Sequence, residues 1–211
     1  MKQYRYRLFL TCFVILIPMF IGLLVWNQLP DMIPTHFNFN GVVDGYSSKF
    51  FGIVGLPLFL LFIHILCMFG ILNDPKKNNI NNKMLTLVFW SVPLISLFVN
   101  GAIICFSLGL NIDIRSISYL LVGVSFVLIG NYMSKNRVNY TVGIKIPWTL
   151  NSDNNWYHTH RLASKLWVIG GLLILMNIFL QYSWLMFVVI IVCGIVPLIY
   201  SFIYYKRHDE I

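Results

Sequence analysis

FFGIVGLPLFLLFIHILCMFGIL, residues 50–72, runs for twenty-three positions without an Asp, Glu, Lys or Arg. A hydrocarbon core takes about 20 helical residues to cross, and lipid offers no partners for backbone N–H and C=O groups, so the stretch reads as a membrane helix. Reading outward, five more apolar stretches have the length to cross: Leu8 to Trp26, Met84 to Leu110, Ile117 to Met133, Ala163 to Tyr182 and Trp184 to Tyr205. The fourth in chain order, from Ile117, is the shortest. The whole chain of 211 residues agrees, with 58% hydrophobic and 10% charged residues against roughly 45–50% and 25% in soluble domains.

Lys2, Arg5 and Arg7 precede the first apolar run, as they would in a secretory signal. That run is long for a signal core, and Trp26-Asn27-Gln28-Leu29 supplies no small-residue cleavage site, so the first helix is expected to remain as an anchor. Basic residues near helix ends resist export. With the amino terminus in the cytoplasm, only Lys49 and Arg115 of the fifteen Lys and Arg residues fall outside. Both termini are therefore expected in the cytoplasm, and the net charge of +8 reports topology rather than direct nucleic-acid binding. Tyr4, Tyr6, Tyr132, Tyr204 and Tyr205 would form one interfacial belt, and Trp26, Tyr119, Tyr182 and Trp184 the other.

Within the helices the informative feature is an absence. Asp31, Asp44, Asp74, Asp113, Asp153, Asp209 and Glu210 all fall in loops or tails. No mid-membrane carboxylate is left to relay protons or hold a cation, which weighs against a coupled carrier and against an intramembrane aspartyl hydrolase. His64, Asn100 and Asn177 remain at depth. The plain reading is a neutral His bonded to an Asn of a neighbouring helix; contact with a ligand is the alternative for His64. Pro18, Pro57, Pro93 and Pro197 are expected to bend four helices. Gly123, Gly130 and the Gly170-Gly171 pair would allow close helix approach. Cys12, Cys67, Cys105 and Cys193 have no metal or disulfide spacing and read as packing residues.

Two polar strings interrupt the apolar runs. In the first, LPDMIPTHFNFNGVVDGYSSK at 29–49, Pro30 and Pro34 favour extended chain, and Phe37 and Phe39 alternate with His36 and Asn38. Asn40-Gly41 predicts a two-residue hairpin turn with positive φ at both positions, and Asp44-Gly45 a second turn. His36 finds no second histidine on its expected side, so a hydrogen bond locking the loop, or ligand contact, is preferred to a metal.

In the second string, NRVNYTVGIKIPWTLNSDNNWYHTHRL at 136–162, Tyr140 to Ile146 alternates like a short strand, Gly143 permits close backbone approach and Pro147 ends the run. Ser152 or Asp153 can cap the following helix. On it Trp156, His160 and Trp167 share one stripe, expected at the lipid boundary with Lys145, Arg161 and Lys165 beside it. That basic, aromatic surface suits lipid headgroups or a cytoplasmic protein partner. His158-Thr159-His160 lacks the spacing for a metal pair.

The first string resembles a domain of unknown function with Ile-Pro, His-Phe-Asn, Gly and Asp-Gly-Tyr in this order. The second is similar to the carboxy-terminal signature of the SdpI family, at Asn139, Gly143, Lys145, Pro147, Trp148, Thr149, Leu150, Ser152, Trp156, His160 and Arg161. That pattern more often has Arg-Thr where this chain has Lys145-Ile146, and Lys lacks the planar two-pronged donor of Arg. The resemblance implies a bacterial membrane protein that protects its producer from a secreted toxic peptide, with some members tethering a cytoplasmic transcriptional repressor.

The expected fold is an all-α six-helix transmembrane bundle with a small extracytoplasmic hairpin. A two-helix unit would span 1–83 with the outer loop 27–49, and a four-helix unit 84–211 with the cytoplasmic loop 134–162. Candidate ligand- or partner-binding residues are His36, Asn38, Asn40, Gly41, Asp44, Gly45, His64, Asn139, Gly143, Lys145, Pro147, Trp148, Trp156, His160 and Arg161. No catalytic set, metal site or cofactor is expected. A membrane-embedded peptidase or lipid-modifying enzyme and a small peptide transporter are the competing classes.

Overall fold

The structure, a computed structural model, describes residues 2–208; Asp209 and Glu210, read above as tail carboxylates, lie outside them. Among the described residues six helices are long and apolar enough to cross a membrane: Tyr4–Leu24, Phe51–Leu72, Asn82–Ser107, Ile114–Met133, Asp153–Leu180 and Leu185–His208. Each overlaps one of the six stretches read from sequence. Their flanks leave Phe9, Leu24, Phe59, Phe69, Phe179 and other large apolar side chains exposed, as membrane spans do. The protein is a multi-pass membrane protein.

In chain order the elements are α1 (Lys2–Leu24), β1 (Met32–Phe37), β2 (Val43–Ser48), α2 (Leu56–Leu72), α3 (Asn82–Ile95), α4 (Gly101–Ser107), α5 (Ile114–Met133), α6 (Pro147–Asn151), α7 (Asp153–Leu180) and α8 (Leu185–His208). π-helical turns at Phe51–Gly55 and Ser96–Asn100 lead into α2 and join α3 to α4. The second begins three residues after Pro93, whose ring removes a backbone donor and disturbs the regular ladder.

The chain forms two compact units. The first comprises Met1–Met68 and Val88–Ser118. Leu29, Ile33, Ile53, Ile103 and Ile104 make its buried cluster, with Val25, Trp26 and Phe37 packed against it. Gly52 lets Ile33 of β1 approach, since a Cβ there would lie 2.8 Å from the Ile33 side chain. Below this cluster, Ser96 Oγ donates to the Ile15 carbonyl at 2.8 Å, and Asn100 Nδ2 donates to Ser96 Oγ at 3.1 Å. Ser96 thus bonds to α1 and the Asn100 amide to Ser96 within the π-turn.

The second unit comprises Phe69–Leu87 and Tyr119–Ile211. Here α5 and α7 meet through glycines: a Cβ on Gly171 would lie 2.7 Å from the Gly123 carbonyl, and one on Gly130 2.9 Å from the Val168 nitrogen. Gly170 makes the same allowance for Val189 and Cys193 of α8. Tyr119, Ile174, Val189 and Cys193 form the buried cluster, so Tyr119 is a core residue and not part of an interfacial belt. Asn177 closes α7: its side chain accepts from Tyr182 N–H (3.0 Å) and donates to Tyr182 C=O (2.9 Å), with Gln181 in the left-handed conformation. It caps its own helix instead of pairing with His64.

Candidate functional site: the hairpin and the signature loop

β1 and β2 pair antiparallel, Met32 opposite Ser48 and Phe37 opposite Val43, with irregularities on either side of His36. Asn38 N–H donates to Val42 C=O (2.9 Å) and Gly41 N–H to Asn38 C=O (2.9 Å). Three residues, Phe39 to Gly41, therefore make the connection, and only Gly41 has positive φ (+74°). The expected two-residue turn with positive φ at both Asn40 and Gly41 is replaced by a three-residue connection that ends in one left-handed glycine. Asn38 is the reason: its Oδ1 accepts from Asn40 N–H (2.9 Å) and Val42 N–H (3.1 Å), holding the turn from inside. Asp44-Gly45 forms no second turn, because both residues lie within β2.

This leaves His36 and Asp44 facing each other across the ladder, Nδ1 donating to Oδ1 at 2.5 Å, with side chains 73% and 43% exposed. A Cβ on Gly45 would lie 2.9 Å from His36 Cβ, so the glycine makes room for the imidazole. Phe37 packs edge-on against Phe106, ring centres 5.5 Å apart, whereas Phe39 is largely exposed. The two phenylalanines therefore do not share a fate. Lys49 closes the base by pairing with Asp31 at 3.2 Å. His64, deep in the same unit, is buried; Thr11 spends its hydroxyl proton on Leu8 C=O (3.0 Å), so His64 Nε2 donates to Thr11 Oγ (2.8 Å). Its partner is a threonine and not an asparagine, and Nδ1 has no hydrogen-bond partner.

The signature loop is built inside out. Asn139 is fully buried and all four of its side-chain positions are used: Nδ2 donates to Arg137 and Val142 C=O (2.9 and 3.0 Å), and Oδ1 accepts from Thr141 and Val142 N–H (3.1 and 2.7 Å). Such a knot imposes bends, so residues 140–146 form no strand, contrary to their alternation. His160 Nδ1 donates to Trp156 C=O (2.8 Å) and Nε2 accepts from Ile144 N–H (2.9 Å), which fixes a neutral imidazole with both nitrogens committed. Its ring stacks on Trp156, centres 3.9 Å apart. Gly143, at φ +127°, passes over this stack, and a Cβ on it would lie 2.5 Å from His160 Nε2.

Thr149, also buried, accepts from Ile146 N–H and donates to Ile144 C=O (2.7 Å), starting the short helix α6 behind Pro147. Trp148 Nε1 then donates to Ser201 Oγ of α8 (2.9 Å). Ser152 caps α7, accepting from Asn155 N–H at 3.2 Å, as its residue type predicts.

Trp156 and His160 are 2% and 1% exposed, and the Trp156 indole donates to Asn136 C=O (2.9 Å). Their stripe faces protein and not the lipid boundary. What the loop shows to its surroundings is different: Lys145, Tyr157, His158 and Arg161 are exposed, with Arg161 bonded to the Tyr157 hydroxyl at 3.0 Å.

Asp74, buried in the α2–α3 connection, was absent from the sequence candidates yet holds this loop from beneath. Its carboxylate accepts from Lys76 N–H (2.7 Å), Tyr140 N–H (2.9 Å) and the Thr141 hydroxyl (2.7 Å). Burial pushes its pKa up, but those three donors and the Lys145 charge outweigh burial and hold it below its ordinary 3.8. Lys145 itself donates to Thr141 C=O (2.9 Å). Asn79 and Asn136 add bonds between the same two connections, Asn79 Nδ2 to Val138 C=O (2.6 Å) and Asn81 N–H to Asn136 Oδ1 (2.8 Å). The only sequence hint was an asparagine-rich connection, residues 73–82, beside two spans.

Residues 135–201, which include this loop, match the SdpI/YfhL protein family. Residues 13–61, containing the hairpin, match a domain of unknown function, DUF1648. The chain thus carries one region that matches the SdpI/YfhL family and one that matches the domain of unknown function. Along its length it is 25% identical over 206 residues to the Immunity protein SdpI of Bacillus subtilis (strain 168), covering 94% of this chain and 95% of that protein. No solved structure matches. The six apolar helices and these similarities together support a multi-pass bacterial membrane protein.

Proposed function

We propose that this protein protects the cell that makes it from a secreted toxic peptide, acting as a non-enzymatic receptor in the membrane. The observation that carries this reading is the near full-length similarity to an immunity protein, which takes in both polar strings. The distribution of basic residues supports placing both termini in the cytoplasm, the hairpin outside and the 134–162 loop inside. On that topology the exposed His36–Asp44 pair, with Asn40 and Gly41 at the tip, forms the face that meets an incoming amphipathic peptide.

Inside, the buried residues Asn139, Trp156 and His160 and the half-buried Gly143 and Trp148 hold a platform, and Lys145 and Arg161 on its surface are the groups offered to a cytoplasmic regulator. The central test is survival. Expression of the full chain in peptide-sensitive cells is expected to raise survival under challenge, and His36→Ala to remove the gain while leaving protein levels intact. Unchanged killing curves at confirmed membrane expression overturn the proposal. Recovery of intact peptide after incubation with the purified protein separates capture from proteolysis, and thiol labelling at engineered positions 36 and 161 reads the topology.

A further inference from the structure

In the second unit a cavity of about 680 Å3 opens between the α2–α3 connection, the segment after α5 and the first turn of α7. Lys76, Lys135 and Arg137 bring three positive charges to its lining, Trp156 and Tyr157 an aromatic wall, and Asp153 its one carboxylate. A more polar hollow of about 300 Å3 shares Asn79, Lys135 and Arg137. None of the three cations is ion-paired among the described residues. Lys76 lies over the Tyr140 ring at 5.0 Å and Lys135 over Tyr132 at 4.5 Å; ring contacts orient an ammonium but leave its charge uncompensated.

The backbone beneath these side chains is fixed. Arg137 N–H donates to Asn79 C=O at 3.0 Å, Asn79 holds Val138, and Asn136 is held by Asn81 N–H and the Trp156 indole. A ligand therefore meets a site whose backbone is ordered in advance, which lowers the entropic cost of binding. Its depth is informative too, because α2 ends at Leu72, α5 ends at Met133 and α7 starts at Asp153. Helix ends lie at the level of lipid headgroups, where basic side chains meet phosphate.

We propose that this cavity binds a phosphate-bearing anion, either the phosphodiester of an anionic phospholipid headgroup or free phosphate. Three cations outnumber the single carboxylate, and the volume falls in the range of small-molecule sites, about 300–1,000 Å3. Asp153 gives the site a second preference. It repels a multiply charged anion and accepts from a hydroxyl, which favours a singly charged phosphodiester carrying a hydroxylated headgroup, with the aromatic wall against its glycerol.

The test uses the full-length protein in phosphatidylcholine nanodiscs doped with phosphatidylglycerol, and native mass spectrometry after transfer to neutral detergent to count retained phosphatidylglycerol. Wild type is expected to retain it. Arg137→Gln should lower retention roughly fivefold, the scale of one headgroup-facing charge, and Arg137→Gln with Lys135→Gln further. Arg207→Gln, in the same unit but outside the cavity lining, should match wild type. Both exposed side chains can be changed without touching the backbone bonds, and unfolding midpoints verify this; Lys76→Gln is an independent third variant.

Calorimetry with inorganic phosphate alone distinguishes the sources. Binding of phosphate that is lost in the double variant, without selective lipid retention, assigns free phosphate. Equal phosphatidylglycerol retention by wild type and all variants, together with no heat from phosphate, overturns the proposal.

Discussion

The hairpin and the signature loop both contain histidine, asparagine and glycine, and each handles them differently. In the hairpin His36 stands 73% exposed with one nitrogen on Asp44; in the loop His160 is buried with both nitrogens committed to backbone. Asn38 organises a turn at the surface, whereas Asn139 is sealed within a knot of four bonds. A buried polar group whose bonds are all made cannot offer them to a ligand, and losing any of them leaves a neighbour unsatisfied. Asn139 and His160 of the loop thus maintain shape, whereas the hairpin leaves His36 at the surface.

That contrast is most severely tested at Gly143. Alanine there must adopt φ near +127° and push against His160 Nε2, at an expected cost of about 3 kcal/mol, read as a large drop in the thermal unfolding midpoint in detergent. Asn139→Ala comes next, stranding two amides and two carbonyls, for about 2 to 3 kcal/mol. It should also open the loop to trypsin at Lys145, and resistance equal to wild type would show that the knot is not what holds the loop.

Asp74 sharpens the comparison through pH. Its folded pKa lies below the ordinary 3.8, so between the two values the unfolded chain binds more protons and stability rises with pH. The contribution is complete above the ordinary value and is lost as pH falls through the depressed one. Acid titration of the unfolding midpoint should show this loss, and Asp74→Asn should flatten it. Gly41→Ala tests the hairpin: positive φ is strained for alanine, but the atoms its Cβ would meet belong to the flexible Arg115 side chain, so about 1 kcal/mol is expected. Smallest is His36→Ala, which should leave the midpoint unchanged while affecting protection. A large loss of stability there would erase the distinction between the two regions.

The six spans were legible because hydrophobic length is a local property, and the hairpin because Pro30, Pro34 and Gly41 act on their own backbone. Close approach at Gly123, Gly130 and Gly170-Gly171, and the cap at Ser152, were legible for the same reason. The form of the hairpin turn was not. Asn40-Gly41 has the composition of a two-residue turn, and the Asn38 side chain selects another. Alternation at 140–146 suggested a strand, yet among the described residues no strand pairs with it, and the Asn139 bonds bend it away.

Chain order alone determined a membrane protein with two specialised polar strings, since residue type and spacing suffice to decide solvent and periodicity. Only tertiary structure decided which string hides its polar groups. Asp74 lies 67 residues from Thr141 and Asn79 59 from Val138, and whether a side chain bonds to such a distant backbone or remains exposed depends on contacts that no local pattern encodes. The facing of Trp156 and His160 toward Asn136 and Ile144, rather than toward lipid, follows from those same long-range bonds.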